Sequence, residues 1–206
     1  MGSVRFERLA GAASVLVGLG GLVYAILFIW IVAGAPNWVL ETWFALLLGG
    51  AFLTVVVAAT LYGWLRRVDV SLALAATLFA TLGALDGVLH GATNLYRLLN
   101  PASPGPGEVV TAGALRYGAA GLALLGFGAL ILSSDLLPRA LGWLLGFSGG
   151  ILVLIFFGRL FQFITPTVKV SLIPPVLYGL VLHPMAYVWL GVEIRRRFGL
   201  ERGAVD

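Results

Sequence analysis

The chain contains no cysteine, a single lysine and two histidines, and only 11% of its 206 residues are charged. Without cysteine there is no disulfide, no iron–sulfur cluster and no thiolate metal site, and no redox compartment can be read from thiol usage. The single lysine, Lys169, falls in a connection between apolar runs, so no Schiff base of the retinal kind can form inside one. The two histidines, His90 and His183, are expected about 15 Å apart in depth, which excludes a haem held between them. Charge is scarce enough to exclude a water-coated globule, since soluble domains carry roughly 25% charged residues. The net charge of +4 and pI near 9.9 come mostly from arginines at the ends of apolar runs, so they do not indicate nucleic-acid binding.

The chain is 60% hydrophobic, with a mean hydropathy of +1.03, and six apolar runs are separated by short polar punctuation. The runs cover about 9–34, 42–65, 70–95, 109–133, 138–163 and 172–194. Each is long enough as a helix to cross a hydrocarbon core of ~30 Å at 1.5 Å per residue. The expectation is an all-α, polytopic membrane protein: one domain over residues 1–206, built as a bundle of six transmembrane helices. Leu9–Val32 is too long for the roughly 7–15-residue core of a signal peptide, so the first run is kept as a helix. A faint likeness between residues 20–28 and 149–157 pairs the first helix with the fifth, the wrong offset for an inverted repeat.

An even number of spans puts both termini on one side. Arg5, Arg8, Arg66, Arg67, Arg139, Arg195, Arg196, Arg197 and Arg202 gather on that side, against Arg97, Arg116, Arg159 and Lys169 near the other. The positive-inside rule then makes the termini cytoplasmic. The six Trp are expected at both interfaces, with Trp30, Trp38 and Trp43 at outer helix ends and Trp64, Trp143 and Trp189 at inner ones.

The stretch from Thr81 to Arg97 interrupts the apolar pattern. Asp86, His90 and Asn94 recur every fourth residue on one helix face, with Gly83, Gly87 and Gly91 beside them. Gly142, Gly146 and Gly150 make a second glycine stripe on the fifth helix, and close helix contacts are expected along both stripes, including with each other. Asp86 is expected about 24 Å along its helix, with His90 and Asn94 at or near the outer interface. Arg116 is expected about 10 Å below the same surface, with Arg159 and Gln162 near the outer end of the fifth helix. An ionisable group at membrane depth faces protein or a water-filled cavity, so Asp86 requires a partner, Arg116 or Arg159. His183, followed by Pro184, stands near mid-depth in the last helix. Asp86, His90, Asn94, Arg116, Arg159, Gln162 and His183 are therefore the candidate ligand-binding residues. Asp86 and His90 supply only two metal ligands where three or more are needed, so no metal site and no catalytic residue is assigned.

Arg8-Leu-Ala-Gly11, Leu61-Tyr-Gly-Trp-Leu-Arg-Arg67, Leu136-Leu-Pro-Arg139 and Leu141-Gly-Trp143 stand at helix ends. In these and in the order of segments the chain resembles a family of bacterial and archaeal six-helix membrane proteins, of the domain of unknown function 4386 type. The family pattern has an aromatic after Pro-Arg, where this chain has Ala140. The resemblance implies the six-helix fold and a prokaryotic cytoplasmic membrane, and implies no activity, cofactor or site residue. Two functions stay open. One is a small-ligand or ion binding or transport module with an outward polar pocket. The other is a structural or assembly subunit whose glycine stripes pack against a second copy or another membrane protein. An enzyme using Asp86 and His90 ranks behind both, and no cofactor is named. The expected partners are the lipid bilayer and that ligand or neighbour.

Overall fold

The structure is a computed structural model and describes residues 2–100, 115–161 and 173–203. The described residues form helices, with short turns at 33–36, 66–69 and 133–138 and no strand among them. In order they are α1 (Gly2–Val32), α2 (Asn37–Leu65), α3 (Val70–Leu99), α4 (Leu115–Leu132) and α5 (Arg139–Leu160). A last rod is made of α6 (Ile173–Leu177), one π-helical turn (Tyr178–Leu182) and α7 (His183–Gly203). Six helices are long and apolar enough to cross a membrane. Several run past the apolar limits read from sequence. α1 takes in Arg8, α2 begins at Asn37 rather than Thr42, and α3 continues to Leu99. Hydrophobicity marks the apolar length, whereas backbone hydrogen bonding continues through polar ends. The start expected for the fourth helix, Val109, lies outside the described residues.

The turns follow from local chemistry. Gly34 adopts φ +88° between α1 and α2, a conformation that a side chain would strain, and Pro36 precedes α2 in extended conformation. Asp69 caps α3 by accepting the Leu72 N–H at 2.9 Å. Pro138 stands immediately before α5.

Neighbouring helices pack antiparallel in the order α7–α1–α2–α3–α4–α5, with a thinner seam between α5 and the last rod. Small residues set the tightest approaches. A Cβ on Gly149 of α5 would lie 2.6 Å from the Gly121 carbonyl oxygen of α4, and one on Gly128 would lie 2.8 Å from that of Gly142. α1 and α7 meet through Gly11, Gly18 and Gly191. The buried face of α3 is also made of small residues, Ala73, Ala76, Ala80, Gly83, Gly87 and Gly91, at helical spacing.

The two glycine stripes do not face each other as expected. Gly83 packs on α4, Gly87 and Gly91 pack on α2, and Gly142 packs on α4, while a Cβ on Gly146 or Gly150 would meet nothing. One stripe therefore turns to two different neighbours, because a straight row of every fourth residue drifts around a helix of 3.6 residues per turn.

Candidate functional site

A cavity of about 710 Å³ lies inside the ring of helices, within the roughly 300–1,000 Å³ typical of small-molecule sites. Its lining is apolar along most of its length, from Leu61, Leu124, Phe127 and Leu152 up to Phe28. Its polar groups are Arg116, Arg159, His183, four tyrosines, Tyr24, Tyr117, Tyr178 and Tyr187, and two threonines, Thr42 and Thr54, whose hydroxyls donate to their own helix at Trp38 and Gly50; no carboxylate lines it among the described residues.

Arg116 stands in the first turn of α4 as described. Its Nη2 donates to the hydroxyls of Tyr24 on α1 and Tyr117, each at 2.8 Å. Both phenol oxygens thus act as acceptors, and neither O–H proton finds an acceptor among the described residues. The other terminal nitrogen, Nη1, is buried without a hydrogen-bond partner. The guanidinium lies 4.7 Å from the Tyr117 ring centre, and that of Arg159, arriving from α5, lies 5.0 Å from the same ring. Cation–π attraction of roughly 0.5–2 kcal/mol holds each cation there. It does nothing to relieve two like charges sharing one ring. Trp43 of α2 stacks on Tyr24 at 4.5 Å and closes this end, its Nε1 buried and unpartnered. Trp43 is half-buried and turns inward from the second turn of α2, whereas Trp30, Trp38 and Trp143 are exposed.

Asp86 is 4% exposed. Its Oδ2 accepts the main-chain N–H of Arg116 at 2.9 Å, while the Arg116 guanidinium turns to the tyrosines. The expected side-chain ion pair is thus replaced by a contact to a backbone donor, which in the first turn of a helix lacks an intrahelical acceptor. Gly83, one turn earlier on α3, allows this approach: a Cβ there would meet Ala120 N at 3.1 Å and the Arg116 carbonyl oxygen at 3.3 Å.

His183 is placed by the irregular last rod. Pro184 has no N–H to return to Leu180, and the chain widens there so that the His183 N–H reaches back five residues to the Tyr178 carbonyl. The imidazole Nε2 lies 3.1 Å from the Val17 carbonyl oxygen, so it donates. Nδ1 lies 3.0 Å from the Tyr178 hydroxyl, so in the neutral ring it accepts. The tautomer follows from these two partners. A Cβ on Gly21 would collide with the ring, so this glycine makes room for it.

Of the candidate residues, the structure brings Arg116, Arg159 and His183 to the cavity and ties Asp86 to it through the α4 backbone. His90 and Asn94 are not part of its lining. Asn94 Nδ2 donates to the His90 carbonyl at 2.7 Å, and the His90 ring meets Phe44 edge-on. Gln162 lies outside the described residues. Sequence reasoning missed Tyr24, Tyr117, Tyr178 and Tyr187. The available signal was a phenol hydroxyl set far from the end of an apolar run, where it needs an internal partner. Among the described residues no three His, Asp or Glu side chains converge as metal ligands. The polar end offers donors instead: guanidinium, phenol and indole N–H.

Together these features define an all-helical bundle with an internal, mostly apolar cavity that ends in an arginine-rich head and has no carboxylate in its lining among the described residues. No family model, curated protein or solved structure matches the chain. The family resemblance therefore rests on the helix-end residues and the order of segments alone.

Proposed function

We propose that the protein is an integral membrane protein that binds a small anionic amphiphile, with the apolar part of the ligand in the cavity and its acidic head against Arg116. Membrane insertion is supported by six apolar helices and by the large side chains on the outside of the bundle, among them Leu78 (61% exposed), Phe52 and Phe147. The distribution of arginine supports cytoplasmic termini, which puts the basic head in the outer half of the bilayer. The observation that carries the ligand reading is the unpartnered, buried Nη1 of Arg116, with a second guanidinium over the same Tyr117 ring and no carboxylate in the lining among the described residues. A buried donor left unmade costs about 1–3 kcal/mol, more when charged, and a bound anion removes that cost.

Packing without a ligand is the second reading. It is favoured by the two tyrosine hydroxyls that already occupy Arg116 Nη2.

The two readings separate in an equilibrium titration of the protein in lipid nanodiscs with a fluorescent fatty acid, with the fatty alcohol of the same chain as competitor. The anion site predicts that the acid binds at least about tenfold more tightly than the alcohol, a difference of about 1.4 kcal/mol. It also predicts that Arg116→Gln removes this preference without loss of fold by thermal unfolding. Equal affinity for acid and alcohol, or no binding at all, leaves the cluster as packing.

A further inference from the structure

The cavity has a side. Leu16, Leu19 and Val23 of α1 line it and are nevertheless 56%, 49% and 44% exposed. On α2, Thr42, Ala45 and Gly49 line it and are exposed. The cavity is not enclosed, and these exposed lining residues mark where it opens. Along each helix these positions recur at three- and four-residue spacing, so each group occupies one face. Gly20 and Gly49 stand at matching heights, each about 18 Å from the turn joining the two helices. A Cβ on Gly20, Gly49 or Gly50 would meet nothing within 4 Å, in contrast with the glycines of the packed seams.

Above and below, the two helices are fastened. Tyr24 and Phe28 stack on Trp43 at 4.5 and 6.2 Å, and Trp64 Nε1 donates to Glu7 Oε1 at 3.3 Å. Between these fastenings lies a slot about 10 Å tall, the length of α1 from Leu16 to Val23. Its rim is apolar except for Thr42, whose hydroxyl is spent on the Trp38 carbonyl at 2.8 Å, and the outer surface beside it carries Ile26, Phe52 and Val55. An opening so bordered faces hydrocarbon, and a water-soluble ion has no favourable path through it.

We infer that the slot between α1 and α2 is a lateral gate through which a single-chain anionic amphiphile passes between the bilayer and the cavity, its head drawn inward to Arg116 and Arg159. The inference rests on the ligand reading above and adds the route and the source, the membrane itself. The guanidiniums lie at the Tyr24–Trp43 end of the slot, because Arg116 bonds Tyr24. A chain entering sideways therefore meets the cations at one end and the apolar lining along its length.

The test is the rate of exchange. The whole protein in lipid nanodiscs is loaded with a fluorescent fatty acid, and its release to acceptor vesicles is followed for the native chain and for Gly20→Leu with Gly49→Leu. The added side chains occupy the slot without striking a neighbour at Cβ. Expected are release and uptake both slowed at least tenfold, with the dissociation constant held within about threefold. Unchanged rates would overturn the gate while leaving the site standing. Lost affinity at an unchanged uptake rate would make the slot part of the seat and also overturn it. Absence of binding in the native chain would remove both, and the comparison of acid with alcohol detects that case separately. Gly20→Ala with Gly49→Ala, too small to block the slot, should exchange at the native rate.

Discussion

Two glycine-bearing faces of this bundle do opposite things. Between α4 and α5, Gly121, Gly128, Gly142 and Gly149 bring the backbones together, so that an added Cβ would strike a carbonyl oxygen or amide nitrogen of the facing helix. Between α1 and α2, Gly20, Gly49 and Gly50 face nothing, and the helices touch instead through aromatic and polar side chains nearer their ends. The lesson is that glycine at helical spacing states only that a side chain is missing. Whether the missing volume is filled by another backbone or left as a passage depends on what stands opposite.

The comparison is most sharply broken at Gly149. Gly149→Val places carbon against the Gly121 carbonyl and Leu125 N, so overpacking should cost about 3 kcal/mol or more, read as a lowered midpoint of thermal unfolding in mild detergent. A variant as stable as the native chain would mean that α4 and α5 are further apart than described.

Gly21 gives an intermediate case, because the obstacle opposite it is a side chain. Gly21→Ala should displace His183 from the Val17 carbonyl and destabilise by about 1–3 kcal/mol. Adding His183→Ala should return part of the loss, and a double-mutant cycle over the same unfolding measurement reads the coupling. Strict additivity would show that the two positions do not meet.

The smallest effect belongs to the open face. Gly20→Ala and Gly49→Ala should each leave stability unchanged or raise it by up to about 1 kcal/mol, since alanine is the better helix former and meets no neighbour. A clear loss of stability at either position would close the slot.

Much of the fold was legible in composition. Six apolar runs, most of them joined by short connections, specify six helices, since a long apolar run closes its backbone hydrogen bonds within itself as a helix and short turns make neighbours antiparallel. Arg116, Arg159 and His183 were also legible as candidates, because a polar group in an apolar run requires an internal environment wherever the helix lies. Asp86 was legible as a group needing a partner, but its contact to the Arg116 main chain was not, because a backbone donor carries no residue identity in a sequence. His90 and Asn94 shared a stripe with Asp86 and yet bond to each other, since stripe membership fixes a face and not its neighbour.

The sequence by itself determined the number of helices, their antiparallel succession and the residues whose polarity calls for company, because hydrophobic length and charge act locally along the chain. Only the tertiary structure decided which glycines close a seam and which leave a slot, which phenols receive a guanidinium, and that the cavity opens sideways. Those outcomes depend on the rotation of each helix about its own axis. That rotation is set by the summed packing of all its neighbours, and no single helix carries it.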